Sequence, residues 1–498
     1  MSNPVTLDGR SLSLEDVVAV ARHGASVAIA PEALDGVRAS RRTVEDMLAR
    51  GATIYGVTTG FGKLAHVRIR PDQTRQLQLN LVRSHASGVG DPLAVEAVRA
   101  MMLLRANVLV RGTSGVRPVL PELIVAMLNA RVHPRVPAQG SVGASGDLAP
   151  LAHLALAMIG EGEDGGAGGA ALKASGLEPI TLEAKEGLAF VNGTQAQTGI
   201  AALLVHDAWV LWRTAHAAAA LSLEATRSTP DPFDARIHEA RPHPYQQRSA
   251  ALLRDLLADS EIRESHREGD PRVQDAYSLR CTPQVLGAVG EALALAERVV
   301  AVELNAATDN PLVLDGQVLS GGNFHGQPIA LALDVLGIAL ATLAGIAERR
   351  IERVVNPDLS AGLPAFLARD PGVESGFMTP QIAAAALVAE CRVLATPASV
   401  HSVPTEGNQE DWVPMGMSAA WKAERILENA TRIVAIELLA GAQGLEFLKP
   451  LRSGRGAARV YAAVRREVPP LDGDRPFTAD IERIAAGIRA RKFDPGAA

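Results

Sequence analysis

The stretch PIALALDVLGIALATLAGIA, residues 328–347, is apolar over the length of a membrane span and is interrupted only by Asp334 and Thr342. Length alone would let it cross a bilayer. Its composition argues otherwise. Small Ala and Gly residues dominate it, the charged run ERRIER (348–353) follows at once, and no second span accompanies it. A helix apolar on all sides in a soluble chain belongs at the middle of a bundle, where small side chains let helices approach closely. Outward from this segment, apolar residues recur at helical spacing over 193–226, 284–307, 328–356, 380–400 and 419–447. Residues 12–50 and 70–130 also read as helices, and SLEDVVAVAR opens on Ser13 with Asp16 three residues later, a loose capping box. The strand signal is thin. The expected fold is mainly α: a large bundle of long, nearly antiparallel helices in residues 111–498, with a smaller, mostly helical N-terminal domain in residues 1–110.

Composition narrows the function classes. Of 498 residues, 47% are hydrophobic and 21% charged, enough to bury a large core, while aromatics at 3% leave that core to Ala, Leu, Val and Ile. A net charge of −6 offers no basic stripe for nucleic acid. Cys281 and Cys391 form neither a disulfide framework nor a CxxC pair, and MSNPVTLDGR has no apolar signal region, so a reducing, cytoplasmic setting is expected. HEARPH (238–243) resembles HExxH, but its histidines are five apart and Pro242 interrupts any helix; it reads as a surface loop and no metal is expected. EDGGAGGAALKASG (163–176) reads as a flexible excursion, a surface hairpin or loop.

Two loops stand apart from this helical background. YGVTTGFGKLAH (55–66) is one. QGSVGASGDLAPLAH (139–153) is the other, with Gly140, Gly143 and Gly146 framing the trio Ala144-Ser145-Gly146. A turn serine in a loop needing positive φ is one explanation for Ser145. A nucleophile elbow is excluded, because GxSxG would need glycine where Asp147 stands, and a phosphate loop would need GxGxxG or a P-loop lysine. A third reading is chemical. In a tight bend of small residues the glycine nitrogen can reach the alanine carbonyl carbon, and cyclisation with loss of water gives a five-membered ring bearing a methylidene derived from serine.

GSVGASGDLAPLAH closely resembles the signature of the histidine and aromatic amino-acid ammonia-lyases. YGVTTGFG (55–62), NLVRSHASG (80–88), EGLAFVNGTQ (186–195), QDAYSLRC (274–281), NAATDNPL (305–312), GNFHGQP (322–328) and NQED (408–411) resemble further family blocks, in the family's order. The resemblance implies that Ala144, Ser145 and Gly146 form 4-methylidene-imidazol-5-one (MIO), an electrophile built from the chain, so that no diffusible cofactor is needed. It puts Tyr55 in the role of base for the substrate's β-proton. Ionising a free tyrosine at neutral pH costs about 4 kcal/mol, so positive charge or hydrogen-bond donors are expected around it. The glycine-rich loop carrying Tyr55 is expected to act as a lid. Arg280 is implied as the clamp for the substrate carboxylate, Tyr277 as a second active-site tyrosine, Asn192 as a partner of ring and substrate, and Gln274 and Phe324 as walls. A small amino acid is the implied substrate, and a homotetramer whose sites combine three chains the implied assembly.

Ser84 and His85 resemble the histidine-type selector at the ring-binding end, and Glu410 resembles the acidic residue of the histidine enzymes. An imidazole offers a donor and an acceptor, which suits a His and a Glu, whereas a buried carboxylate facing a phenyl ring would lack a partner. The expected reaction is therefore L-histidine to trans-urocanate. Two departures favour a tyrosine ammonia-lyase or tyrosine 2,3-aminomutase as the alternative. The chain has Trp412-Val413-Pro414-Met415 where histidine enzymes continue His-Val-Ser-Met, and Thr58 where they carry Asn. An inactive helical scaffold would be expected to have lost Ala-Ser-Gly or Tyr55; both are present.

Overall fold

The computed structural model describes residues 4–162 and 167–495. Helices dominate it, and the five long runs appear as Gln195–Ala225, Thr282–Glu303, Gln327–Val355, Met378–Leu394 and Gly416–Glu446. The fourth is shorter than its apolar spacing suggested, because Pro397 cannot continue a helix. Near the N-terminus, Ser13 and Asp16 close a full capping box on helix Leu14–Ala21. The strands are three small pairs, one parallel (Val5–Leu7 with Val27–Ile29) and two antiparallel (Val89–Pro92 with Pro137–Gln139, Leu312–Leu314 with Gln317–Leu319).

The chain forms two compact units, each assembled from separated stretches. The first contains residues 1–204, 296–334 and 397–421, and the second 205–295, 335–396 and 422–498. These packing units are a different partition from the segments 1–110 and 111–498: within the first unit, helix Val95–Val110 is buried against Val119–Asn129. In the second unit the long helices interlock. Arg350 on Gln327–Val355 makes a bidentate pair with Glu437 on Gly416–Glu446 at 2.5 and 2.9 Å, both side chains fully buried, and Ser222 adds a bond to Glu437 at 2.9 Å. Gly441 lies against Leu221, where a Cβ would stand 2.7 Å from the leucine's, so the small residue sets how closely those helices approach.

Among the described residues, Gln327–Val355 is the one helix long and apolar enough to cross a membrane. Its buried residues Ile329, Leu333, Leu336, Leu340, Leu343, Ala347 and Ile351 recur every three or four positions, while Leu331 is 55% and Ile338 44% exposed, so this chain packs one face of the helix and does not enclose it on all sides as expected.

Two expected loops are corrected. The described part of 163–176 contains helix Ala167–Ala174; Gly168 and Gly169 let it lie on the backbone of Ala157–Glu161, where Cβ atoms would meet Glu161 O at 2.6 Å and Gly160 O at 2.9 Å. Residues 163–166 lie outside the described residues. HEARPH is no surface loop throughout: His238 is buried in helix Ala235–Glu239, with Nε2 on Pro232 O and Nδ1 on Gln246 Nε2, both at 3.0 Å.

Candidate active site

The Ser145 loop joins strand Pro137–Gln139 to helix Leu148–Met158, and Pro150 falls in the helix's first turn, where a missing N–H is tolerated. The loop's path is decided at Gly146. Its φ is +81°, and a Cβ there would meet Gly193 O at 2.2 Å and Gly193 N at 2.5 Å. Two main chains therefore touch, and Asp147 N donates to Gly193 O at 2.7 Å. Gly193 is closed from its other side: a Cβ would stand 2.5 Å from Gln195 Oε1 and 2.6 Å from Arg105 Nη2.

Polar groups behind this contact fix it in place. The buried Arg105 donates to the carbonyls of Ala189 at 3.0 Å and Asn192 at 2.9 Å, and to the Gln195 side chain. Burial draws its guanidinium down to about 10, with Asp309 and Asp147 opposing. Asp147 is buried and accepts from Gln197 N at 2.9 Å and Ser141 Oγ at 3.0 Å. Burial nonetheless pushes its carboxyl up to about 6. Lys185 Nζ meets Asp309 Oδ2 at 2.7 Å in a buried pair.

Ser145 is gripped at both polar ends. Its Oγ donates to Glu410 Oε1 at 2.6 Å, and its carbonyl accepts from Asn192 Nδ2 at 2.8 Å. The other carboxylate oxygen of Glu410 accepts from Thr405 Oγ1 at 2.5 Å. Ala144 is buried beside it.

The lid folds over the same neighbourhood. Tyr55 Oη accepts from Gly62 N at 2.8 Å. Gly62 has no Cβ because Glu406 fills that space, its Oε1 lying 1.5 Å from where the Cβ would be. Burial raises the Tyr55 pKa, Glu406 and Glu410 raise it further, and the Gly62 N–H opposes them. Positive charge and donors were the expectation around Tyr55. The structure supplies one donor and two carboxylates, so Tyr55 is held neutral here. Burial and Glu410 also raise Glu406.

His85 ends helix Thr74–His85 with its ring edge toward Phe61, centroids 5.9 Å apart. Its Nδ1 lies 2.9 Å from Leu81 O, which can only accept, so Nδ1 carries the hydrogen and Nε2 keeps a lone pair. Burial lowers its pKa, with the Leu81 carbonyl and Glu410 opposing. Ser84 is exposed and its Oγ donates to Leu81 O at 3.1 Å. Phe324 is half-buried in the turn that enters helix Gln327–Val355.

Gln274, Tyr277 and Arg280 form a separate group in the second unit. Tyr277–Arg280 is a four-residue helix; Tyr277 is 72% exposed, the Arg280 guanidinium sits 5.2 Å from its ring centroid, and Arg280 Nη1 donates to Gln274 Oε1.

The first unit thus brings together Tyr55, His85, Ala144, Ser145, Gly146, Asn192 and Glu410. Sequence reading missed Thr405 and Glu406, although only Gly407 separates them from the quoted NQED. It used Asp147 only to exclude a hydrolase, and Arg105 carries no signal inside an apolar helical run.

Comparison with known proteins identifies the family. Residues 12–466 match the model of the aromatic amino acid lyase family. A histidine ammonia-lyase of Koribacter versatilis is 52% identical, covering 98% of this chain and 98% of that protein. Among solved structures, histidine ammonia-lyase from Trypanosoma cruzi is 43% identical with a TM-score of 0.90, covering 98% of this chain and 94% of that one. Tyrosine aminomutase from Streptomyces globisporus is 41% identical with a TM-score of 0.93, covering 99% and 98%. Full-length sequence similarity and a shared helical fold leave one conclusion: the chain belongs to the aromatic amino acid lyase family.

Proposed function

We propose that this lyase eliminates ammonia from L-histidine to give trans-urocanate, through an MIO group formed from Ala144, Ser145 and Gly146. The observation that carries the choice of substrate is the polar setting of Ser145, with Glu410 2.6 Å from its hydroxyl and the neutral His85 in electrostatic reach of that carboxylate. The residues fit the group. Gly146 is pressed so closely on Gly193 that no Cβ is tolerated, and the Ser145 carbonyl already has a donor in Asn192. When formed, the group supplies an electrophile that makes the substrate amine a better leaving group.

The chain's own residues do the rest. Glu410 accepts the imidazole N–H, and a water bound on the Nε2 lone pair of His85 donates its other hydrogen to the second ring nitrogen, so the ring is oriented by groups a phenyl side chain could not satisfy. Tyr55 Oη takes the β-proton. The Gly62 N–H stabilises the phenolate, while burial and the two carboxylates oppose it, so the positive charge of the substrate ammonium is what shifts Tyr55 toward ionisation. Residues 62–64 of the lid, seated on 406–408, exclude water from the reacting carbon. Arg280 is proposed as carboxylate clamp, Tyr277 as second tyrosine and Gln274 as a wall, delivered by another subunit of a homotetramer; the exposure of Gln274 and Tyr277 and the half-exposed Arg280 support this. Free Cys281 and Cys391 suit a cytoplasmic, reducing setting.

The similarity to a tyrosine aminomutase favours a second reading, a tyrosine lyase or 2,3-aminomutase. Of the sequence departures that pointed there, Thr58 and Trp412 bond away from Ser145, whereas Pro414 lies against Gly143 and Met415 N donates to Val142 O at 2.8 Å, both on the Ser145 loop. Thr58 Oγ1 accepts from Ile54 N at 2.8 Å and donates to Ala52 O at 3.1 Å, and the exposed Trp412 donates its Nε1 to Gln327 Oε1 at 3.0 Å. Incubation with L-histidine and L-tyrosine separately, followed by ultraviolet spectra and chromatography, decides the matter. Urocanate from histidine is expected; coumarate or β-tyrosine, with histidine untouched, would overturn the substrate assignment.

A further inference from the structure

We infer that Glu410 has a second task, earlier than any encounter with substrate: it drives the dehydration of Ser145 that creates the electrophile, and is itself released for substrate by that step. The inference rests on the MIO reading above.

The atom balance is fixed by the three residues. A bond forms from Gly146 N to the Ala144 carbonyl carbon. The carbonyl oxygen then leaves as water with the amide hydrogens of Gly146 and Ser145. A second water takes Ser145 Oγ with its hydrogen and the Ser145 Cα hydrogen, leaving a Cα–Cβ double bond. No oxidant or reductant is needed. The second loss is a β-elimination, and it presents two difficulties: the Cα proton is weakly acidic, and hydroxide is a poor leaving group.

The structure places a group at each difficulty. Asn192 Nδ2 donates to the Ser145 carbonyl at 2.8 Å, where it stabilises the enolate-like charge that grows as the Cα proton departs. Glu410 Oε1 lies 2.6 Å from the leaving Oγ, along a hydrogen bond through which a proton reaches Oγ as the Cβ–Oγ bond breaks. The Glu410 carboxylate takes that proton from solvent before the step and the Cα proton passes to solvent after it, so Glu410 ends as the carboxylate it was at the start. Thr405 Oγ1, 2.5 Å from Glu410 Oε2, fixes the carboxyl plane. Asn192 and Thr405 are positioning and polarising groups; Glu410 carries the proton.

The same hydrogen bond sets the order of events. Before dehydration the Ser145 hydroxyl occupies Glu410 Oε1, the oxygen proposed above to receive the substrate imidazole. Loss of Oγ produces the electrophile and vacates that oxygen in one event, so an immature chain cannot bind substrate in the productive pose.

The test is intact mass together with mass spectrometry of the peptide spanning Ser145, on wild-type protein, Glu410→Gln and Glu410→Asp, with circular dichroism and size-exclusion chromatography to verify folding. Wild-type protein lighter by two waters supports the MIO reading; wild-type protein at its sequence mass sinks that reading itself. Given a mature wild type, Glu410→Gln is expected to stall one water short or at the full sequence mass in at least nine molecules of ten, without the ultraviolet band of a conjugated methylidene. Glu410→Asp, which keeps the acid, is expected to recover part of the second loss during prolonged incubation. A folded Glu410→Gln protein lighter by two waters to the same extent as wild type would overturn the inference while leaving the MIO reading intact.

Discussion

The loop around Ser145 and the segment around Arg280 are both assigned to the same chemistry, yet they are built in opposite ways. The first is a contact of backbone on backbone, Gly146 against Gly193, with Arg105 and Asp147 buried behind it. The second is held at a few points, by Leu279 in the core and by Asp275, which accepts from Thr229 N at 2.8 Å, while Val273 is 94% and Tyr277 72% exposed. A group formed by folding the main chain onto itself needs a rigid template, whereas a clamp for a carboxylate can be presented from a surface and completed on assembly. Substitutions that crowd the Gly146–Gly193 contact should therefore cost stability and maturation, and those in the second region activity alone.

The largest separation is expected for Gly193→Ala. Its Cβ would sit 2.5 Å from Gln195 Oε1 at φ +139°, so overpacking and backbone strain together should cost about 4 kcal/mol. Denaturant melts should show that loss, and intact mass should show no loss of water. A fully matured protein of wild-type stability would mean the Gly146–Gly193 contact is not the template.

Next in size is the response to pH, where the two units should differ in sign. Asp147 in the first unit is raised by burial to about 6 against an ordinary 3.8. Its contribution is fully present below pH 3.8 and lost as pH rises through 6, which costs about 3 kcal/mol at neutral pH. His216 in the second unit is lowered by burial to about 3, with Arg350 and Arg248 adding to the effect and the Trp212 carbonyl opposing. Its contribution is present above the ordinary 6.5 and lost as pH falls toward 3, about 3 kcal/mol by pH 4.5. Asp147→Asn should raise stability at pH 7 more than at pH 4, and His216→Gln should flatten the acid side. Melts of each variant across pH 4–8 measure both, and matching profiles for the two variants would contradict the assignment of the shifts.

A smaller but more diagnostic effect is expected for Arg280→Met. Removing a bidentate carboxylate clamp at a partly exposed arginine should weaken kcat/KM by about 2–3 kcal/mol, one to two orders of magnitude, while stability stays within about 0.5 kcal/mol. Equal loss in both would place Arg280 in the framework instead.

This contrast also explains what was legible in the sequence. Helical spacing in 328–347 and its companions is a statement about burial, and burial is what folds them, so four of the five long helices were found within a few residues and the remaining one ends earlier, at Leu394. Ser145, Asn192, Tyr55 and Glu410 were named because the blocks that hold them resemble those of a known family; the spacing of the glycines alone left Ser145 open to a plain turn. Arg105 was not, since a buried cation satisfied by the carbonyls of Ala189 and Asn192 depends on partners more than eighty positions away. Glu406 was hidden for the same reason: its place in the notch of Gly62 exists only after two distant loops meet. Ser84 shows the converse. A motif named it beside His85, but the helix turns its hydroxyl onto Leu81 O, where it serves the backbone.

The smallest expected effect tests whether the lid belongs with the rigid region or the presented one. Thr58 is the lid residue that separates this chain from the histidine enzymes, and on sequence grounds it weighed toward tyrosine. Its hydroxyl bridges Ile54 N and Ala52 O, so it closes the turn at the foot of the lid while Tyr55 faces Gly62 at the other end. Asn can repeat both bonds, accepting through its carbonyl oxygen and donating through its amide, with a side chain one atom longer. Thr58→Asn should therefore change stability by less than about 1 kcal/mol and leave the ratio of histidine to tyrosine turnover within about twofold. Thr58→Val, which keeps the shape but loses both bonds, should cost about 1–2 kcal/mol and raise KM by loosening the lid, with the same substrate ratio. A change in that ratio for Thr58→Asn would show that the foot of the lid reads the substrate ring, and would make the lid part of the selector together with His85 and Glu410.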